Sequence, residues 1–541
     1  MKRMKFVSLL CCVTLLFSVA AGCNNKSTKG GANTLQIYCV DLGYGWQWAQ
    51  DLATLFAEQD WVKEKYPDLK IDPVQHNQLS TFAQTKLDVP KNNDFDVLLS
   101  THLVKNAGPG SNSLDLTDLV YNQDVPGENI KFIDKMLPSY VESNQYVNVN
   151  DNTDIKYYYT SWASGITSIV YDQDILDRYN LECPRTTDEL IAAAAAIKAD
   201  KSKSGNSEGF SFFSGSTGYW SYLFEGWWAQ YDGIDAFNNF WKGYYDDDGM
   251  LVRSNKIFDL EGRLKSLEVY EKILKYEDGY VNLAVDSQQF QANQTAMLQG
   301  QYAFMPNGDW FDTEVSTIRE GLKKNGDELH QIRIMPQPIV SSIIDREECA
   351  SIENDAELSA LIKAIDKGET ALTGEGYSVT QEAFDKIVEA RRVVRSIGPG
   401  HHAIIPKYSD AQDVAVDFLR FMATDVANEQ YIKTTQGASL PFIYNVKEKA
   451  AETYNSLTIF HQERLDYFNN PAYEIYSLPD TSNFPLNLYG GMKAIEGTYN
   501  FYVTFSAQGN TTTPQKLFDD TKKVWTAQKF QLALEQAGLH G

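Results

Sequence analysis

Residues 300–311, GQYAFMPNGDWF, pose the question from which the rest of the chain can be read. The apolar run Tyr302-Ala303-Phe304-Met305 predicts a buried strand that stops at Pro306. A turn through Asn307-Gly308-Asp309 is expected next, and then two aromatic side chains, Trp310 and Phe311. Turns ordinarily carry small polar residues. An indole placed straight after one asks for a partner of its own.

Outward from this stretch the chain alternates strand and helix. LQIYCV (35–40), LKIDPV (69–74) and FDVLLS (95–100) read as strands, with an amphipathic helix over 49–67 between the first two. Such alternation predicts a mostly parallel sheet with crossover helices, whose ligand crevice lies beyond the C-terminal strand ends. One rim then holds Asp41 to Trp48 and Thr101-His102. Thr186 and Glu189 form a capping box that opens a helix containing five alanines, Ala192 to Ala196. YYDDDGMLV (244–252) reads as a hairpin turning at Asp248-Gly249; its acid run lacks the spacing of a calcium loop. Residues 255–299 read as two helices, 312–400 as a charged insertion on one lobe, and the C-terminal third as mostly helical.

At 541 residues, two lobes are expected, because single cores stop growing near ~250–300 residues. The N-terminus has a basic start (Lys2, Arg3, Lys5), an apolar run from Phe6 to Phe17 and the small residues Ala20-Ala21-Gly22, the pattern of an export signal over 1–22. Its removal leaves 45 basic against 72 acidic residues, a net charge of −27. So acidic a surface argues against nucleic acid and anionic lipid as partners. After processing, Cys39, Cys183 and Cys349 remain beside Cys23; with no C-x-x-C they read as single thiols, or at most one disulfide, and no zinc spacing exists.

No H-E-x-x-H, P-loop or strand-linked G-x-G-x-x-G is present, and the one G-x-S-x-G, GNSEG (205–209), follows a polar Lys/Ser run and not a strand, so no enzyme constellation assembles. His401-His402 would point to opposite faces of a strand, an awkward pair for one metal. Neither a cofactor nor a metal is expected.

VAAGC (19–23) resembles the lipobox of bacterial lipoproteins, which implies lipidation of Cys23 and a flexible polar tether over 23–33. The order GITSIVYDQDILDRYNLECPRTTDEL, MLQGQYAFMPNGDW, IIPKYSDAQDVAVDFLRFMATDVANEQY and GASLP resembles the extracellular solute-binding proteins of carbohydrate ABC importers, the maltose-binding-protein-like family. The chain departs from that pattern in its greater length and in YDQD where the family has YNKD.

The resemblance implies an α/β, two-lobed periplasmic-binding-protein-like fold with hinge crossovers and an interlobe ligand cleft. Transferred here, lobe 1 is 34–160 plus 312–425 and lobe 2 is 161–311 plus 426–541. It implies a sugar as ligand, with several tryptophans hinting at an oligosaccharide. It also implies ABC permease subunits as partners, a lipid-anchored monomer at the outer face of the cell membrane, and no covalent chemistry. A sugar-sensing lipoprotein, a peptide-binding variant and a glycoside hydrolase stand as alternatives.

The family's ligand-stacking position falls on Trp310, flanked by Asn307 and Asp309. An indole offers a flat apolar face to the C–H face of a sugar ring, while nearby carboxylates and amides take the hydroxyls. By the same logic Asp41, Tyr44 and either Trp46 or Trp48 are candidates after the first strand, the other tryptophan starting the core face of the next helix. His102 follows the third strand, Trp162 lies near the hinge crossover, and Tyr219 and Trp220 start a lobe 2 helix. The stripe Tyr219, Trp220, Leu223, Trp227 reads equally as a core face.

Overall fold

The computed structural model describes residues 33–536 and 539, apart from 42, 77–79, 102–106, 149–150, 201–218, 277–278, 282–289, 397, 471, 480, 482–483, 485 and 488–500. The export signal, Cys23 and all of the tether but Asn33 lie outside the described residues, as does His102.

Two five-stranded assemblies carry the fold. In the first sheet the order is Lys70–His76, Thr34–Val40, Val97–Ser100, His402–Ile404 and Thr160–Ser161. The first three strands are parallel, as their alternation with helices predicts, and His402–Ile404 runs antiparallel between the other two. Thr167–Asp172 is the centre of the second sheet. It pairs antiparallel with Phe304–Gly308 on one side and with Ile332–Met335 and Val393–Arg395 on the other, Tyr476–Leu478 lying beyond. The sheets are therefore mixed, a modification of the mostly parallel expectation.

Each sheet has its own core. The first buries Leu35, Ile37, Trp48, Leu52, Phe56, Val97 and Leu99 together with Phe418, Phe421 and Tyr431. The second buries Ile169, Val170, Trp220, Trp227, Trp228, Tyr270 and Phe304 together with Phe501 and Trp525. The chain passes from first sheet to second between Ser161 and Thr167, returns between Arg395 and His402, and leaves again after Phe442.

These cores correct the expected lobe boundaries. Helices Asp355–Asp366 and Gln381–Arg392, in the segment read as an insertion and assigned to lobe 1, bury Leu358, Leu361, Ile362, Ile365, Ala383 and Ile387 in the second core. Residues 402–425 lie with the first core as expected, and 426–442, expected in lobe 2, join them there through Ala427, Tyr431, Leu440 and Phe442. The apolar stripes show that a helix is buried, not which of two equally apolar cores receives it.

Several local readings appear as expected. Thr186 accepts from the Glu189 amide at 3.1 Å, and Glu189 reaches back to the Arg185 amide at 2.7 Å. Tyr244–Asp247 and Met250–Arg253 form the hairpin, with Asp248 and Gly249 both at positive φ, the geometry its tight turn requires. Cys39, Cys183 and Cys349 are free thiols. Among the described residues, no helix is long and apolar enough to cross a membrane.

Candidate functional site between the sheets

The strand in the opening stretch is longer than its apolar run. Phe304–Gly308 stays in register with Thr167–Tyr171 through Pro306, Asn307 and Gly308, so the expected turn at 307–309 is strand and strand end. Pro306 is tolerated because this is an edge strand, where a missing N–H breaks no ladder. Trp310 then caps a single helical turn, Phe311–Glu314.

Trp310 is only 4% exposed and is packed with the first core, although its strand belongs to the second sheet. Gly43, in the loop after the first strand, approaches it; a Cβ at Gly43 would lie 3.8 Å from that of Trp310. From the second lobe, the rings of Tyr219 and Tyr222 meet the indole edge-on at 6.4 and 6.0 Å and stack on each other at 5.5 Å. Tyr222 also packs against the first core. An aromatic cluster thus bridges the two sheets at their strand ends.

Polar groups surround it. Tyr219, Tyr222 and Glu225 are spaced i, i+3, i+6 and share one face of helix Trp220–Asp232 and its N-cap. Glu225 pairs with Arg395 at 2.5 Å, where the second strand of the return crossing ends. Glu314, four residues after Trp310, closes the helical turn onto the Trp310 carbonyl at 2.9 Å and accepts from Gln294 at 2.7 Å. Burial raises the Glu314 carboxyl above its ordinary range, opposed by the Gln294 bond. Burial also raises the Tyr219 and Tyr222 phenols; the Glu314 charge adds to this at both, while Arg395 opposes it at Tyr222. These groups gather beside the aromatic cluster and make up one candidate site.

Asp309 has a different role from the one expected. Its two oxygens are taken: Tyr44 donates to one at 2.7 Å, and Arg464 Nε to the other at 2.8 Å. Arg464 is fully buried and also donates to the Ser164 carbonyl at 2.8 Å and to Ser439 Oγ at 2.5 Å. Burial raises the Asp309 carboxyl, opposed by Arg464 and Tyr44. This bracket ties a first-lobe loop, two crossings and the second lobe together. Gly165 is required beside it, because a Cβ there would lie 2.4 Å from the Tyr44 hydroxyl.

The other expected residues divide. Trp46 is half-buried against the first core at the N-cap of helix Gln47–Glu58, and Asp41 accepts from Gln75 of the neighbouring strand. Asn307 is fully buried, its Oδ1 held by the Gly308 amide at 2.8 Å, and so turns away from the rim. Trp162 is sunk in the first core, stacked on Trp48 at 4.9 Å with its Nε1 on the Ser100 carbonyl. Trp48 is therefore the tryptophan that starts the helix's core face. Trp220 is sunk in the second core against Tyr270 and Tyr502. In this conformation Trp162 and Trp220 are thus buried in the cores of the first and second sheets and Asn307 is fully buried, so none of the three is open at the cluster.

Sequence reading missed Tyr222, Glu225, Glu314, Arg395 and Arg464. Helical spacing from Tyr219 and Trp310 marks the first three; nothing local marks the two arginines. A further cluster, Asp172, Asp174 and His330, has ligand atoms close enough for a cation. Its oxygens already cap the Ile175 amide, hold His330 at 2.6 Å and accept from the Gln331 amide, a clamp at a strand end.

No curated protein sequence matches the chain. Solved structures share its fold. The GacH receptor of Streptomyces glaucescens, known unliganded and with acarbose, is 16% identical with a TM-score of 0.50, over 93% of this chain and 98% of its own. The apo form of RafE from Streptococcus pneumoniae is 12% identical with a TM-score of 0.54, over 93% and 100%. A chitin oligosaccharide binding protein is 14% identical with a TM-score of 0.54, also over 93% and 100%. A family model described as bacterial extracellular solute-binding protein matches residues 45–342, from the loop beside Trp310 through the aromatic cluster and beyond. With two sheets joined by repeated crossings and that match over more than half its length, the chain belongs to the bacterial extracellular solute-binding proteins.

Proposed function

We propose that the protein captures an oligosaccharide outside the cell and delivers it to an ABC permease, held at the membrane by lipid on Cys23. The observation that carries the reading is the cluster of Trp310, Tyr219 and Tyr222 between the two sheets, ringed by Glu225, Arg395 and Glu314. Flat rings beside carboxylates and a guanidinium are the surfaces a polyol needs. The acarbose and chitin oligosaccharide named for structures of the same fold support it.

Trp310 gives nearly all its surface to protein in this conformation. Ligand therefore enters when the lobes part and the tyrosines leave the indole, and the sugar takes their place as the lobes close. Closure is a population shift that favours the closed form only through contacts to both lobes. Binding without turnover fits the ion pairs of Glu225 with Arg395 and Asp309 with Arg464, which among the described residues of the cluster leave Glu314 as a single unpaired carboxylate where glycoside hydrolysis uses two.

A thermal-shift screen against mono- and oligosaccharides, followed by calorimetry, tests the reading: a sugar that binds the native state raises the melting temperature. Stabilisation by peptides alone, or release of cleaved sugar, would overturn it. For the anchor, labelled palmitate should enter the parent protein and be lost in Cys23→Ser.

A further inference from the structure

We infer that the ligand is a glycan without acidic groups and that Glu314 is the residue that turns acidic sugars away. The inference rests on the sugar-binding reading and narrows it to a substrate class.

The charges around the aromatic cluster carry the argument. Arg395 is the cation at the cluster, and it is held by Glu225 at 2.5 Å and also bonds the Ser396 carbonyl. Arg464, the nearby guanidinium under the bracket, is fully buried and held by Asp309. Glu314 makes no ion pair among the described residues; its partner is the neutral amide of Gln294. It sits one helical turn beyond Trp310 and acts electrostatically on both Tyr219 and Tyr222. Among the described groups that ring the cluster, Glu225 and Arg395 therefore cancel and Glu314 is left as an uncompensated carboxylate.

A uronate, sulfate or phosphate on the ligand would meet that carboxylate in a half-buried setting where charge is poorly screened, and among the described residues both arginines near the cluster are held by carboxylates. A hydroxyl, by contrast, donates to Glu314 and gains a charge-assisted hydrogen bond. The Gln294 bond leaves carboxylate capacity for one, since an ionised carboxyl accepts at two oxygens.

The test is calorimetric titration of the purified mature protein with matched oligosaccharides: xylo-oligosaccharides with and without a glucuronic acid branch, cello- and malto-oligosaccharides, oligogalacturonate, N-acetylchito-oligomers and deacetylated glucosamine oligomers. Binding is expected among the sugars without acidic groups, with the acidic match of any hit on the order of 100-fold weaker at low salt. That deficit should shrink in high salt. In Glu314→Gln the ratio of the two affinities, both measured on the variant, should fall to about tenfold or less, because the amide has no charge to repel the acid, while the hit without an acidic group weakens as its hydrogen bond loses charge assistance. Tight binding of a uronate oligomer by the parent would overturn the inference and leave the sugar reading standing. So would a deficit that neither salt nor Glu314→Gln changes. Binding of no glycan at all would remove both together.

Discussion

Gly308 lies beneath the indole of Trp310, and a Cβ built on it would sit 2.0 Å from the ring. Its φ is unremarkable, so a side chain there is excluded by the ring alone. Gly308→Ala should therefore keep the tryptophan but push it out of place. The expected outcome is a shift in tryptophan emission, about tenfold weaker sugar binding and a stability loss of about 1–3 kcal/mol, the usual cost of overpacking. Trp310→Ala removes the ring. It should cost on the order of 1–3 kcal/mol of ligand affinity, by analogy with bases stacked on aromatics, and about 3–5 kcal/mol of stability. Calorimetry and urea melts separate the two effects; unchanged affinity in both variants would reduce Trp310 to packing. At this scale the sequence marks Trp310 clearly, but it cannot tell Trp220 from Tyr222. Both lie on the first turn of one helix, and only the position of the second core decides which faces inward.

Helix Gly262–Leu274 carries a buried cation. Arg263 is fully buried, its guanidinium within 4.9–5.9 Å of the rings of Phe518, Phe240, Phe258 and Trp228. It donates to the Phe258 carbonyl at 2.8 Å, while Nε and Nη1 have no hydrogen-bond partner among the described residues. Desolvation pulls its pKa down to about 10, against the more distant charges of Asp232 and Asp259. The desolvation cost and the cation–π attraction, which reaches ~2 kcal/mol when dry, oppose each other. Arg263→Met keeps much of the volume and removes the unmatched donors. Urea unfolding should find its stability within about 1 kcal/mol of the parent or above it; a loss beyond ~2 kcal/mol would mean that the aromatic cage stabilises the charge. Nothing in the sequence around Arg263 separates it from a solvent-facing arginine, whereas the Thr186 capping box and the Asp248-Gly249 turn are complete within a few residues and are legible for that reason.

Across the whole molecule, the hinge is where remote segments meet. Asp309→Ala would leave the Arg464 guanidinium buried without its counter-charge, which typically costs about 3–5 kcal/mol. A large fall in melting temperature without ligand is expected; an unchanged one would return Asp309 to the role of a ligand contact. Tyr44→Phe removes only the interlobe hydrogen bond to Asp309. It should shift the population towards the open form, seen as a larger radius of gyration in solution scattering and a several-fold weaker sugar affinity, with a stability loss of about 1 kcal/mol.

His461 adds a pH dependence at the same hinge. Its ring is buried against Gly437, where a Cβ would lie 2.4 Å away, and Asp312 stands 3.5 Å from its Nε2. Burial lowers its pKa from 6.5 to about 4; Asp312 opposes this and the charges of Arg464 and Arg319 add to it. The unfolded chain therefore binds the proton first. The stability tied to a neutral His461 is whole above pH 6.5 and is lost as pH falls to about 4, a loss of up to about 3 kcal/mol. Thermal melts across that window should show a steeper decline for the parent than for His461→Asn; parallel curves would sink the assignment.

The chain by itself determined what local physics can fix: strand and helix positions from apolar periodicity, caps and turns from short-range hydrogen bonding, and an aromatic side chain at a strand end where burial of a ligand is favourable. Its family-like order of segments pointed to two hinged lobes. Only the tertiary structure decided which lobe receives 312–395 and 426–442, and that Asp309 serves a buried arginine 155 residues away. It likewise selected Tyr222 and Glu314, not Trp220 and Asn307, as the companions of Trp310. The reason is physical: burial and charge pairing depend on which surfaces meet, and two apolar cores of similar composition present a sequence with the same pattern.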